Sequence, residues 1–345
     1  MTIHFEVLGE PGRDNALYVT IDTGQSVHRL LFDCGDGVLD LVSLSDIQHV
    51  EALFFSHFHF DHIAGFDFFF RLNWYRHENP VNILGPAETQ RVIPHRLQGV
   101  TWNLVEGLSG EIHVASLDGD EVHTATYHVQ DGFQQPRKRR SEPFTGVIYR
   151  SDAFEVVAVP LPHGTTSLGY IVREFDKKNV DMHALEAKGM KPGPWLQAVK
   201  DAHRPDAETI ETQDGMKTLG ELREAILVTQ AGDSIAYLTD FYLDNPSTKE
   251  RLITQLKNCR VLVCENNYAD ADRDLAVKNF HMTSSDVGQL AAEIQPEQLI
   301  LFHLSDRYTQ PQWQGQLHEV RQHFPKAQFP KRWAERFALS SEDER

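Results

Sequence analysis

Cysteine is scarce in this chain: its 345 residues hold three, Cys34, Cys259 and Cys264, and no CxxC pair. An odd number without paired spacing argues against a disulfide framework and for buried thiols in a reducing, cytoplasmic compartment. Long apolar runs are missing as well. Stretches such as EALFFS are too short to cross a bilayer, so no membrane span is expected. The opening MTIHFEVLGE has neither a basic start followed by an apolar stretch nor a small-residue cleavage pattern, so nothing there marks export. Positive charge is in deficit, with 33 basic against 50 acidic side chains and a formal charge of −17. That balance opposes non-specific attraction to nucleic acid unless basic residues are concentrated locally. The one obvious concentration, RKRR at Arg137 to Arg140, reads first as a solvated loop and second as a phosphate-binding patch. Short internal repeats and low-complexity tracts are absent.

What remains is the composition of a globular protein, 41% hydrophobic and 24% charged. The length suits one domain, 1–345, enlarged by insertions. Short β-like runs come first (ALYVTIDTG, RLLFDCG, EALFFSH, VNILGP), then a strand-rich middle (EIHVASL, EVHTATYHV, FEVVAVPLPH, SLGYIVREF). Apolar spacings of three and four predict helices in AETQRVIPHRLQ, MHALEAKGM, STKERLITQLKN, TSSDVGQLAAEIQ and PQWQGQLHEVRQHF. The mixture predicts an α/β fold of sheet layers covered by helices. Residues 176–226 are acidic, polar and punctuated by KPGPW and QDGM, as an inserted arm would be.

The chemistry concentrates in SHFHFDHIAGF, residues 56–66. His57 and His59 alternate along an expected strand end, so both imidazoles can point one way, while Asp61 and His62 follow as the chain turns toward a helix. Imidazole nitrogen and carboxylate oxygen suit zinc, manganese or iron, and two clusters on one turn can address two metals. One loop rarely closes a coordination sphere. Four later residues share the signature of a ligand type where an apolar strand gives way to a turn: His163, Asp240, His281 and His303. Strand ends and their loops deliver functional groups to a shared site. Asp240 is the natural bridge, since a carboxylate can give one oxygen to each of two metals.

With these motifs the chain resembles the metallo-β-lactamase superfamily, and within it the ribonuclease Z branch, over about residues 30–310. FDCGDG at 32–37 precedes the first box, VLVCENNYAD stands where that family has a strand ending in glutamate, HMTSSDVGQLA is similar to its His-x-Thr helix start, FHLSDRY to its final motif, and GMKPGPWLQAVK to the segment beyond its substrate-binding arm. The resemblance implies a four-layer αββα sandwich with an inserted arm. It implies two divalent ions, zinc first, one held by His57, His59, His163 and Asp240 and the other by Asp61, His62, Asp240 and His303. It also implies the pair Glu265 and His281, and a homodimer in which one subunit's arm grips substrate for the other. The chain departs from the family pattern at Asp36, at the VLD that follows the glycine loop, at Asn266 and Asn267, and in its acid-rich arm.

Two divalent metals about 3.5–4 Å apart can hold a bridging hydroxide and neutralise charge growing on a phosphoryl group. Asp61 would orient the attacking water, and His281, held by Glu265, would protonate the departing oxygen. Arg307, with Ser305 and Tyr308, would bind phosphate oxygens. These residues favour a phosphodiester substrate, and the resemblance implies an enzyme that removes 3′ trailers from tRNA precursors. The alternative is a hydrolase of the same fold acting on a small ester, lactone, cyclic nucleotide or phosphodiester. The aromatic run FDFFFRLNWYR reads first as core packing and second as a source of a few base-stacking rings, Trp74 for instance.

Overall fold

The computed structural model describes residues 3–201, 203–213 and 215–343. Strands β1 (Ile3–Gly9), β2 (Asn15–Asp22), β3 (Val27–Phe32), β4 (Ala52–Phe54), β5 (Val81–Pro86), β6 (Glu111–Asp118), β7 (Glu121–His128) and β8 (Lys138–Pro143) form one sheet in sequential order. Within it β3 to β6 run parallel, and the strands outside them pair antiparallel. Side chains of this sheet alternate between two cores, as the period of two requires. Leu30, Phe32, Ala52 and Phe54 face one core. Leu31, Leu53, Val81 and Ile83 face the other, where Ile47, Phe66, Phe69, Ile93 and Leu97 from three covering helices meet them.

A second sheet lies against the first core. It is built from β9 (Val147–Arg150), β10 (Phe154–Pro162) and β11 (Thr166–Glu174), and on its other side from β16 (Ser234–Leu238), β17 (Val261–Glu265), β18 (Gln298–Phe302) and β19 (Ala327–Gln328). β16 to β19 are parallel, and their connections carry the helices Pro246–Leu256, Ser284–Ile294 and Gln310–His323. Leu252, Leu256, Val287, Leu290, Leu317 and Val320 bury the apolar stripes of those helices. The result is helices, sheet, sheet, helices, the layered α/β arrangement expected from the sequence.

Residues 174–233 fold as a separate compact unit between β11 and β16. Its strands β12 (Lys177–Val180) and β15 (Leu227–Gln230) pair antiparallel, as do β13 (Thr209–Thr212) and β14 (Gly215–Thr218). Leu185, Met190, Val199, Leu219, Leu222 and Ile226 make its small core. Asp181 caps one helix, and a reciprocal Thr218–Glu221 capping box starts another. The segment expected to be an inserted arm, 176–226, falls inside this unit.

Two sequence expectations need correction. Arg137 to Arg140 is not a loop: Lys138–Pro143 is the exposed edge strand β8, paired with β7, and Arg137 bonds Asp131. A charged edge strand discourages pairing with another chain. The strand before the first box ends at Phe54, so His57 and His59 lie in the extended loop after it rather than on it. Trp74 packs on Trp102 and Tyr75 and against the helix-covered core, in keeping with the core reading of its aromatic run. The helix Lys331–Asp343 has no counterpart among the expected elements. Among the described residues, no helix is long and apolar enough to cross a membrane.

Candidate metal centre

Residues just beyond the C-terminal ends of β4, β16 and β18 line one cleft. Beyond β4, Phe55 and Phe58 are in ring contact on the core side, with His57 and His59 on the other. The one-turn helix Phe60–Ile63 then presents Asp61 and His62. Two glycines make this turn possible. A Cβ on Gly65 would lie 2.1 Å from the Gly35 carbonyl oxygen, and one on Gly35 would lie 2.4 Å from that of Asp61. The backbone bonds Cys34 N to His62 O and Gly65 N to Cys34 O close the same contact. His163 comes from the turn between β10 and β11, Asp240 from the end of β16, Glu265 from the last position of β17 and His303 from the residue after β18.

Three of these strand ends share an unusual backbone. Asp33, Asp240 and His303 have φ of 60°, 47° and 52°, in the left-handed region where Asp and His are among the more tolerated residues. The kink turns Asp240 and His303 into the cleft and Asp33 toward His62 behind it, and its cost is a mark of a functional site.

The ligand atoms fall into overlapping sets: His57, His59, His163 and Asp240; Asp61, His62, Asp240 and His303; and Asp240, Glu265, His281 and His303, each within 4.8 Å of one another. Asp240 turns Oδ2 toward His57 Nε2 (3.7 Å) and His163 Nε2 (3.4 Å), and Oδ1 toward His62 Nε2 (3.5 Å) and His303 Nδ1 (3.4 Å). Asp61 Oδ2 lies 3.3 Å from both His62 Nε2 and His303 Nε2. Metal–ligand bonds of about 2.0–2.1 Å in a tetrahedron set donor atoms about 3.3 Å apart, so these separations fit two divalent cations sharing Asp240. A second observation agrees. His62 Nε2 is buried without a hydrogen-bond partner, an arrangement that is costly unless something electrophilic meets it.

The back of each ligand is held. Fully buried Asp33 accepts from Ser56 N and Oγ and from Tyr237 Oη, and its Oδ2 lies 2.8 Å from His62 Nδ1. Ser56 Oγ lies 3.1 Å from His57 Nδ1, and the Phe280 carbonyl accepts from His163 Nδ1 at 2.9 Å. Such partners set which ring nitrogen faces a metal. The Asn267 amide is 3.0 Å from His303 Nδ1, and Asn15 Oδ1 accepts from His303 N. Glu265 joins two features: Oε1 accepts from Phe241 N at 2.7 Å, beside Asp240, and Oε2 lies 2.6 Å from His281 Nδ1.

Burial above all pushes His57 down to about 2, which leaves its imidazole neutral and free to ligate. Burial alone would raise Asp240, but His303 and His62 hold it well below the usual carboxylate range. His281 moves the other way. Burial opposes its charge, yet the adjacent Glu265 carboxylate, by charge and hydrogen bond, carries it up to about 9.

A cleft of about 700 Å³ opens over these groups. Of the three residues expected to bind phosphate, Ser305 lines it. Arg307 instead holds its guanidinium 5.9 Å over the Tyr268 ring, and the Tyr308 hydroxyl donates to Asp272 and accepts from Ala269 N. The cations lining the cleft are Arg13 and Lys278, which sequence reading missed. Neither belongs to a basic run, so no local signal marks them. Asp33 was legible in principle, since it follows an apolar strand as His303 does.

The β-lactamase superfamily domain model matches residues 28–180. Ribonuclease Z of Deinococcus radiodurans is 40% identical over 327 residues, covering 95% of this chain and 97% of that protein. Ribonuclease Z of Bacillus subtilis is 25% identical over 282 residues, covering 81% and 78%. Among solved structures, the metallo-β-lactamase fold protein YhfI of Bacillus subtilis superposes with a TM-score of 0.53 at 17% identity, covering 95% of this chain and 96% of that one. The short form of human tRNase Z gives 0.50 at 16% identity, covering 89% and 94%. Those two likenesses bear on the fold, which is that of the metallo-β-lactamases. The near full-length identity to the Deinococcus protein goes further, and with it this chain belongs to the ribonuclease Z family of the β-lactamase superfamily.

Proposed function

We propose that the protein is a zinc-dependent endoribonuclease that removes 3′ trailers from tRNA precursors. The observation that carries this reading is the single carboxylate of Asp240 shared between two ligand sets, with the His281–Glu265 pair beside it. Ribonuclease Z relatives matched over most of their length support it. His57, His59, His163 and Asp240 would hold one ion, and Asp61, His62, Asp240 and His303 the other. When bound, two such ions neutralise charge growing on phosphoryl oxygens and acidify water at neutral pH. The donor chemistry admits manganese or iron as well, so zinc is tested by metal analysis.

The remaining work falls to this chain's own groups. Asp61, its side chain 42% exposed, faces the cleft and accepts a hydrogen bond from the attacking water. His281 keeps Nδ1 on Glu265 and turns Nε2 toward Asp240, from where it gives its proton to the departing ribose oxygen. Glu265 keeps His281 protonated and oriented. Arg13 and Lys278 neutralise flanking phosphates in a chain whose overall charge repels RNA. The unit at 174–233 is the substrate-gripping arm, and the working form is a homodimer in the cytoplasm, where free Cys34, Cys259 and Cys264 stay reduced.

The test is a cleavage panel with metal analysis. Protein with two ions should cut a precursor tRNA once, at the trailer junction. His59→Ala should lose metal, and His281→Ala should keep metal and lose rate. Intact precursor tRNA together with intact bis-nitrophenyl phosphate would overturn the reading, and cleavage of the small diester alone would replace it with a small-molecule hydrolase.

A further inference from the structure

Two phenyl rings stand in solvent beside the metal centre. Phe60 lies between His59 and Asp61 in sequence and is 82% exposed, the most exposed large aromatic among the described residues. An isolated apolar side chain on a surface needs no explanation by itself. Here, though, both chain neighbours line the cleft, while His62 and Ile63 are the buried residues of that turn. Phe280 is 45% exposed and lines the cleft directly. Its backbone is left-handed, with φ of 59°, and its carbonyl holds His163. Its ring lies against Gly164, where a Cβ would come within 2.9 Å of it, so one edge is fixed and the rest is open. His59 and His163, the ligands to which these rings are tied, are themselves 5.2 Å apart between ring centroids.

Lys278, two residues before Phe280, is exposed and lines the cleft, which puts a cation and an aromatic on one short segment. That combination of a phosphate-binding charge and an apolar π-face is how single-stranded nucleic acid is gripped without reading its sequence. Stacking tolerates any base because every base has a π-face, whereas hydrogen bonds to base edges would discriminate.

We infer that Phe60 and Phe280 are base-stacking residues that hold the unpaired nucleotides flanking the cleaved phosphodiester. The inference rests on the function proposed above. Phe60 in particular makes no contribution to the ligand sets, and its ring has no role in the core.

The experiment uses the metal-loaded full chain and the variants Phe60→Ala, Phe280→Ala and Phe60→Trp. Each alanine should raise KM for precursor tRNA by roughly 5- to 100-fold while kcat and metal content stay near those of the unaltered protein. Phe60→Trp should restore KM, and the emission of the new indole should be quenched by a short unpaired oligoribonucleotide. Unchanged KM in both alanine variants, or an indole that the oligoribonucleotide does not quench, would overturn the inference. A fall in kcat together with metal loss would also overturn it, because the rings would then be supporting the ligands. Should the unaltered protein leave precursor tRNA uncut, the proposed function fails, and the quench still decides whether the ring stacks on bases.

Discussion

Asp33 Oδ2 sits 2.8 Å from His62 Nδ1, and neither side chain is more than 2% exposed. The carboxylate fixes the imidazole so that Nε2 faces Asp240 and Asp61. Loss of its charge weakens both the orientation and the basicity of the ligand. Asp33→Asn should reduce affinity for the ion at His62 by about 10- to 100-fold, read by competition with a chelator. Because Asp33 also receives Ser56 and Tyr237, the variant should melt earlier than the unaltered protein even after both are stripped of metal. Equal metal affinity in the two proteins would show that the contact orients nothing.

Glu265→Gln separates charge from geometry. Glutamine retains an oxygen for Phe241 N, so the Asp240 turn is kept, but the negative charge beside His281 is lost. That charge is what raises His281, so its removal lowers the pH at which the histidine gives up its proton. The expected outcome is kcat lower by about 100-fold, metal content unchanged, and the basic limb of the pH–rate profile moved to lower pH. A limb that stays in place would remove His281 from the role of acid.

Gly65→Ala tests the contact that shapes the first box. The Gly35 oxygen in the way is backbone, itself fixed against the turn, and cannot swing aside as a flexible side chain would. Overpacking of this kind should cost about 2–3 kcal/mol in urea unfolding, with metal affinity falling alongside. A variant as stable as the unaltered protein would show that the close approach is relaxed at little cost.

Arg173 and Ser234 are direct cross-strand partners of β11 and β16, so the chain leaves and re-enters the sheet at neighbouring positions. A short glycine-containing turn can therefore replace residues 174–233 without breaking the ladder. The shortened protein should bind two metals and hydrolyse bis-nitrophenyl phosphate, yet lose affinity for precursor tRNA, measured by gel shift at low salt. Retained tRNA affinity would show that the unit does not grip substrate.

The histidines and carboxylates that gather around Asp240 stand out in the sequence because metal chemistry favours imidazole and carboxylate, and because strands announce their ends by losing apolar side chains; their division into two sets came from the family resemblance. His57, His59, Asp61 and His62 also lie so close in sequence that one turn brings them together. The helices at Ser284–Ile294 and Gln310–His323 were equally visible from their periodicity and capping residues. The loop expected at Arg137 to Arg140 became a strand because pairing with β7 outweighs a local preference for solvent.

The sequence by itself determined which atoms could bind metal and the layered fold that carries them, since both follow from residue type and short-range pattern. Only the tertiary structure decided how those atoms are aimed. Asp33 reaches His62 across 29 residues and the Phe280 carbonyl reaches His163 across 117. Arg13 and Lys278, far apart in the chain, line one cleft while Arg307 stacks on Tyr268. Hydrogen bonds are sensitive to tenths of an ångström, and the distance between strand ends of two different sheets is set by the packing of the whole core between them.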